Sequence, residues 1–175
     1  MLGSSRELSP TTCAALGGAS TDRTGVSYLI AQVEAATEGL SDSDLVRVLA
    51  AVRGTTVRRF DIGTGDDGSD EIYVRFVGGE SYSDYRSRCP DVCLAAALEL
   101  VERFGPPHGP IGLTIAGSAQ ATLEDRDPCG WSVQAIGRTP ALAILGALLK
   151  AIQAQAGEGA RPPVQSGADA SPGMP

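Results

Sequence analysis

Residues 139–154, TPALAILGALLKAIQA, form the clearest element in the chain. Thr139 is placed to cap a helix. Pro140 suits the first helical position, where its fixed φ helps and its missing N–H is not needed. Leu142, Leu145, Leu149 and Ile152 recur at helical spacing and predict one apolar stripe. Three short extended pieces precede this helix: IGLTIAG (111–117), AQATLED (119–125) and WSVQAIG (131–137). Gly117 and Ser118 join the first two and RDPCG joins the last two, so an antiparallel meander is the expected topology.

Further out, a helix beginning near Pro90 or Asp91 carries Leu94, Leu98, Val101 and Phe104 as its stripe, and GPPHGP stops it. Between Thr55 and Pro90 the pattern weakens. TTVRRFDI and EIYVRFV alternate like strands around the turn-rich GTGDDGSD, which predicts an inserted hairpin, and GGESYSDYRSRC reads as a surface loop. The chain opens with a helical pair. VSYLIAQVEAATEGL places Leu29, Ile30, Val33, Thr37 and Leu40 on one face, and SDSDLVRVLAAVRG offers Ser and Asp caps with Gly54 as its stop. The expected fold is an α/β (α+β) layered sandwich, an antiparallel three-stranded meander flanked by helices. Its domain spans 26–156, between unfolded tails at 1–25 and 157–175 that are rich in small and polar residues.

Composition narrows the function. The 175 residues carry a net charge of −7, and residues 26–156 alone hold 11 basic against 17 acidic side chains. Wrapping nucleic acid needs a Lys/Arg footprint, so direct nucleic-acid binding is not expected. No apolar run reads as a bilayer-spanning segment and the amino terminus lacks a signal-peptide pattern, which predicts a cytoplasmic protein without a membrane partner. Four Cys without a CxxC argue against a disulfide scaffold.

DVCLAAALELVERF, a meander with one Trp, and GRTPALAILGALLKAIQA together resemble the phage ABA-sandwich domain, whose members close on a W…G…TPALAL…AALRA segment. The likeness runs over roughly residues 26–155, and the region between Thr55 and Gly79 departs from it as an insertion. The resemblance implies a phage or prophage protein acting in the host cytoplasm without catalysis. The chain is also similar to phage anti-defence proteins that sequester the cyclic nucleotide signals of Thoeris immunity, although no binding residue of theirs is matched here. Helix, meander and helix is the topology of the double-stranded RNA-binding domain as well. That domain's last helix opens on a Lys cluster, whereas this one has Arg138 and later Lys150.

Two clusters are candidate ligand sites. The first is the start of the last helix, where the N–H groups of Ala141, Leu142 and Ala143, with Thr139, Arg138, Arg126 and Trp131, would seat a phosphate beside an aromatic face. A capped helix with a core Trp explains the same residues. The second is Tyr82, Tyr85, Arg86 and Arg88, residue types that dominate binding hot spots, read equally as a polar connector with rings packed over the core. Cys89, Cys93, Cys129 and His108 would hold zinc only if the fold gathered them, and buried thiols are the plainer reading. GTGDDGSDE lacks the EF-hand register. His108 lies in a breaker-rich turn, no nucleophile signature is present, and Glu99 with Glu102 or Asp125 with Asp127 read as a solvated acidic surface. The expectation is no enzyme, cofactor or metal. The partner is either a small anionic, nucleotide-type ligand or, alternatively, a nucleic-acid-handling host defence protein inhibited through the acidic surface. A homo-oligomer is expected if the two opening helices do not cover the sheet.

Overall fold

The computed structural model describes residues 23–65, 68–127 and 129–158. Of the expected tails at 1–25 and 157–175, residues 1–22 and 159–175 lie outside the described residues, as do Cys13 and, in the GTGDDGSD stretch, Asp66 and Asp67. Eleven elements follow in order: α1 (Arg23–Ala35), α2 (Asp42–Val52), β1 (Val57–Thr64), β2 (Asp70–Phe76), β3 (Ser81–Tyr85), a 3-10 turn (Arg86–Arg88), α3 (Leu94–Phe104), β4 (Gly112–Ala116), β5 (Ser118–Glu124), β6 (Ser132–Gly137) and α4 (Pro140–Glu158). Strands β1-β2-β3 form one antiparallel sheet and β4-β5-β6 another. The architecture is an α+β layered fold, with α2 packed on the first sheet and on α4, and α4 packed on the second.

The inner face of the second sheet is built from Ala119, Ala121, Leu123, Ala135 and Gly137, all buried. Such small residues let α4 approach closely, and a Cβ on Gly146 of that helix would stand 3.0 Å from the Cβ of Ala135. The single stripe expected for α4 is exceeded: Ala141 to Leu149 are buried on every side, because α1 and α3 cover what the sheet does not. Its window Pro140–Gly157 has a mean hydropathy of 1.2, so by length and composition alone it matches a bilayer-spanning helix. That corrects the expectation that no run does. Here the apolar surface is spent on the core.

The first sheet turns Phe60, Ile72, Val74 and Phe76 inward, and Leu45, Val48, Leu49 and Val52 of α2 are buried alongside. Ser41 caps α2 by accepting the Asp44 N–H at 3.2 Å. Gly54 ends the helix at φ 61°, with its N–H on the Ala51 carbonyl and that of Thr55 on the Ala50 carbonyl, a Schellman closure.

Several expectations are corrected. The stretch read as a surface loop contains β3, which turns the hairpin into a three-stranded sheet. Its polar composition hid it: Ser81, Ser83 and Tyr85 alternate with Tyr82 and Asp84, so no apolar period stands out. Helix α3 begins at Leu94 because Asp91 is occupied elsewhere; the expected stripe of Leu94, Leu98, Val101 and Phe104 does pack on the core, widened by Ala97 and Leu100, which with Val101 are its fully buried residues. Helix α1 stops at Ala35, leaving Leu40 buried in the following connection. Helix is already present at Arg23 and persists to Glu158.

Candidate functional site

The opening of α4 does not form the expected seat. Thr139 Oγ1 accepts the Leu142 N–H at 3.2 Å, the Thr139 carbonyl accepts the Ala143 N–H at 3.0 Å, and Pro140 has no N–H to offer. Ala141 and Leu142 are 2% and 0% exposed. Gly137 presses on this end so closely that a Cβ there would lie 2.5 Å from the Ala143 nitrogen. The other members are far away. Arg126 and Trp131 belong to the turn before β6, Arg138 and Thr139 to its far end, and six extended residues separate them by roughly 20 Å. Arg126 donates from Nε to the His108 carbonyl at 3.0 Å, and Trp131 is buried in the core. Only Arg138 stays exposed beside the cap. The strand that orders the meander is what pulls the candidates apart.

The second cluster is divided by strand alternation and by the turn that follows. Tyr82 faces inward. Its hydroxyl points to Cys89 Sγ at 3.7 Å, and burial pushes its pKa well above the ordinary value. Burial likewise raises the Cys89 thiol. Arg53 lies over the rings of Phe76, Tyr82 and Phe104 at 4.8, 5.9 and 4.7 Å. Arg86 is fully engaged: Nη1 and Nη2 reach Asp91 at 2.8 Å each, Nε reaches Asp42 at 3.0 Å, and Nη2 also reaches the Leu40 carbonyl at 2.6 Å. Burial alone would lower its pKa, and the Asp91 hydrogen bonds and charge override that to raise it. These contacts are made within the fold.

Tyr85 faces the other way, and the Arg88 guanidinium stands 5.4 Å over its ring. It shares the outer face of the first sheet with residues that no motif marked. Arg59 of β1 sits directly opposite Arg75 of β2, Tyr73 lies between Asp61 and Ser83, and Glu71 lies between Gly63 and Tyr85. Asp61 pairs with Arg59 at 2.9 Å. The Tyr73 hydroxyl donates to Glu71, and that bond raises its pKa. Arg75 is exposed, with no hydrogen bond or ion pair among the described residues. The face therefore combines two Tyr rings with three guanidinium groups against two carboxylates. Its signal was present in EIYVRF, whose odd-numbered residues are the outward ones, but only the observed register with β1 and β3 brings the rings and cations together.

No group of three or more His, Cys, Asp or Glu side chains is placed to share a metal among the described residues. Cys89 is buried, Cys93 half-buried and Cys129 exposed. His108 Nδ1 lies 2.7 Å from the Gly109 carbonyl. Asp125 and Asp127 accept the N–H groups of Asp127 and Cys129 at 3.0 Å each, which shapes the turn into β6. An open groove of about 630 Å³ runs between α1, β6 and α4. Its one cation, Lys150, already binds Glu34 at 2.6 Å and the Gln134 carbonyl at 2.8 Å. In comparisons with known proteins, no family model and no curated protein matches this chain.

Proposed function

We propose that the chain is a non-enzymatic phage or prophage accessory protein that binds a nucleotide-type anion on the outer face of its first sheet, and so antagonises a host defence signal. The observation that carries this reading is the direct opposition of Arg59 and Arg75, the second without a partner among the described residues, flanked by Tyr73 and Tyr85. Like charges directly opposite on a sheet destabilise it, so a phosphate lying between them removes a cost that the free protein carries. A guanidinium matches phosphate in a planar, two-pronged geometry, and a Tyr ring offers a stacking surface of about 1–3 kcal/mol per base. The phage setting rests on the likeness of the α3, meander and α4 segments to the ABA-sandwich domain.

The face is open, and enclosed sites cover far more of a small ligand. Affinity therefore depends on stacking and charge, in a chain whose overall field opposes anions. Binding is expected in the micromolar range and to weaken about tenfold between low and high salt. Calorimetry with cyclic and linear mono- and dinucleotides tests this. Loss of heat in Arg75→Ala, with Arg138→Ala unchanged, supports the site. Absence of heat with every nucleotide, or equal heat in Arg75→Ala, rejects it.

A further inference from the structure

Four strand edges bound the two sheets, and three are guarded. On β6 the Lys150 ammonium donates to the Gln134 carbonyl, and α1 lies alongside. On β1 the register slips between Val57 and Arg59, and Arg58 and Arg59 are both exposed. Strand β3 carries Asp84 and runs into the turn that Arg86 ties down. Among the described residues, Gly112–Ala116 of β4 has none of these devices within it, and the register slips only before it, between the His108–Asp125 bridge and the Gly112–Thr122 pair. All five of its residues are exposed, its pairing with β5 is regular, and no residue from Gly109 to Leu123 carries a charge. Leu113 and Ile115 pair with Ala121 and Ala119, so they project on the helical side of the sheet, beyond the reach of the helices, at 37% and 65% exposure. Folded proteins normally blunt such an edge, because its free N–H and C=O groups template another strand.

We infer that β4 is the self-association edge of this protein, pairing antiparallel with β4 of a second copy to make one continuous six-stranded sheet. Charge favours a copy of this chain as the occupant. Two molecules of net −7 repel over most of their surfaces and meet without repulsion only at an uncharged patch. The pleat also permits it. A two-fold axis through Thr114 sets Thr114 opposite its counterpart and Leu113 opposite Ile115 of the other copy. All four aliphatic side chains then lie on the same side, at the roughly 4.5–5.5 Å spacing of cross-strand neighbours. A five-residue edge is small against the roughly 1,200–2,000 Å² of a stable interface, so the dimer forms at micromolar concentration or above. This inference is independent of the nucleotide reading, whose face is on the other sheet.

Sedimentation equilibrium of the full chain from about 1 to 300 μM is expected to pass from monomer to dimer. Thr114→Lys places like charges across the axis on a solvent-facing position, and is expected to weaken association at least tenfold while leaving the thermal transition and any nucleotide heat unchanged. Thr114→Cys is expected to crosslink under mild oxidation, with peptide mapping locating the disulfide between the two introduced thiols, since a facing pair falls within the usual Cα spacing of a disulfide. Thr122→Cys, on β5, is expected to give no such crosslink. A chain that stays monomeric throughout, a dimer untouched by Thr114→Lys, or a crosslink equally strong from Thr122→Cys overturns the inference.

Discussion

Arg86 and Asp91 face each other through two parallel N–H···O bonds of 2.8 Å, with the Asp91 carboxylate entirely buried and the Arg86 side chain 23% exposed. Asp91 also accepts the Leu40 N–H at 2.7 Å, and Arg86 also holds the Leu40 carbonyl and Asp42. One ion pair thus ties the connection between α1 and α2 to the segment between β3 and α3, across 46 to 51 residues of chain.

Breaking this pair from one side is expected to be severe. Arg86→Ala leaves a buried carboxylate with only the Leu40 amide, a change of about 3–5 kcal/mol for a buried pair. Arg86→Lys loses the two-pronged geometry and recovers only part of the loss. Urea midpoints at neutral pH check the order: wild type, then Lys, then Ala.

Gly137 and Gly39 are expected to differ in their tolerance of a methyl group. At Gly137 the added Cβ meets the Ala143 nitrogen at 2.5 Å and the Leu142 carbonyl carbon at 2.9 Å, both backbone. At Gly39 it meets Val92 Cγ1 at 2.9 Å and Asp91 Oδ2 at 3.0 Å. Val92 is exposed and can turn away, and the contact with the held Asp91 oxygen asks for a shift of only a few tenths of an ångström, whereas the backbone of α4 cannot yield. Gly137→Ala is expected to cost about 3 kcal/mol and Gly39→Ala about 1 kcal/mol. Equal losses in urea titration would contradict the packing account.

Arg53 is held by three rings and reaches Glu80 at 3.3 Å, where Glu80 is itself 71% exposed. Stacking, then, supplies most of its contribution. Arg53→Met is expected to destabilise by about 1–2 kcal/mol, and Glu80→Ala by no more than about 0.5 kcal/mol. A larger effect from Glu80→Ala in thermal melts would reverse that assignment.

Alkaline pH is expected to weaken the fold. Burial raises the pKa of both Cys89 and Tyr82 above their ordinary values of 9.0 and 10.0. In the unfolded chain these groups release protons at those values, while the folded chain keeps them. Stability is therefore full below about pH 9 and falls as pH rises beyond it. Tyr82→Phe is expected to flatten the decline above pH 10 in urea titrations. A decline that persists unchanged in that variant would place its origin elsewhere.

Much of the fold was legible in local pattern. Leu and Ala at helical spacing behind Thr139-Pro140, the Ser41 cap, the Gly54 stop and the alternation of five strands, weaker in β1 and β2, each depend on near neighbours, and these elements appear within a residue or two of their patterns. Strand β3 escaped notice because its outward Ser81 and Ser83 and its half-buried Tyr82 and Asp84 show no apolar contrast. Helix α3 started late because Asp91 was drawn to an amide and a guanidinium distant in sequence, which no local pattern encodes.

The candidate sites divide along the same line. Residue type alone singled out Tyr85 and Arg88 as candidates, and the structure stacks the Arg88 guanidinium on the Tyr85 ring, while local chemistry alone let Thr139 cap its helix. Tertiary structure decided which side chains meet. An extended six-residue strand keeps Trp131 and Arg138 apart although they are seven positions apart in sequence, while antiparallel pairing sets Arg59 against Arg75 across sixteen. Periodicity reports which way a side chain faces along its own element, but distance between elements depends on register and packing, and those follow from how the whole core closes.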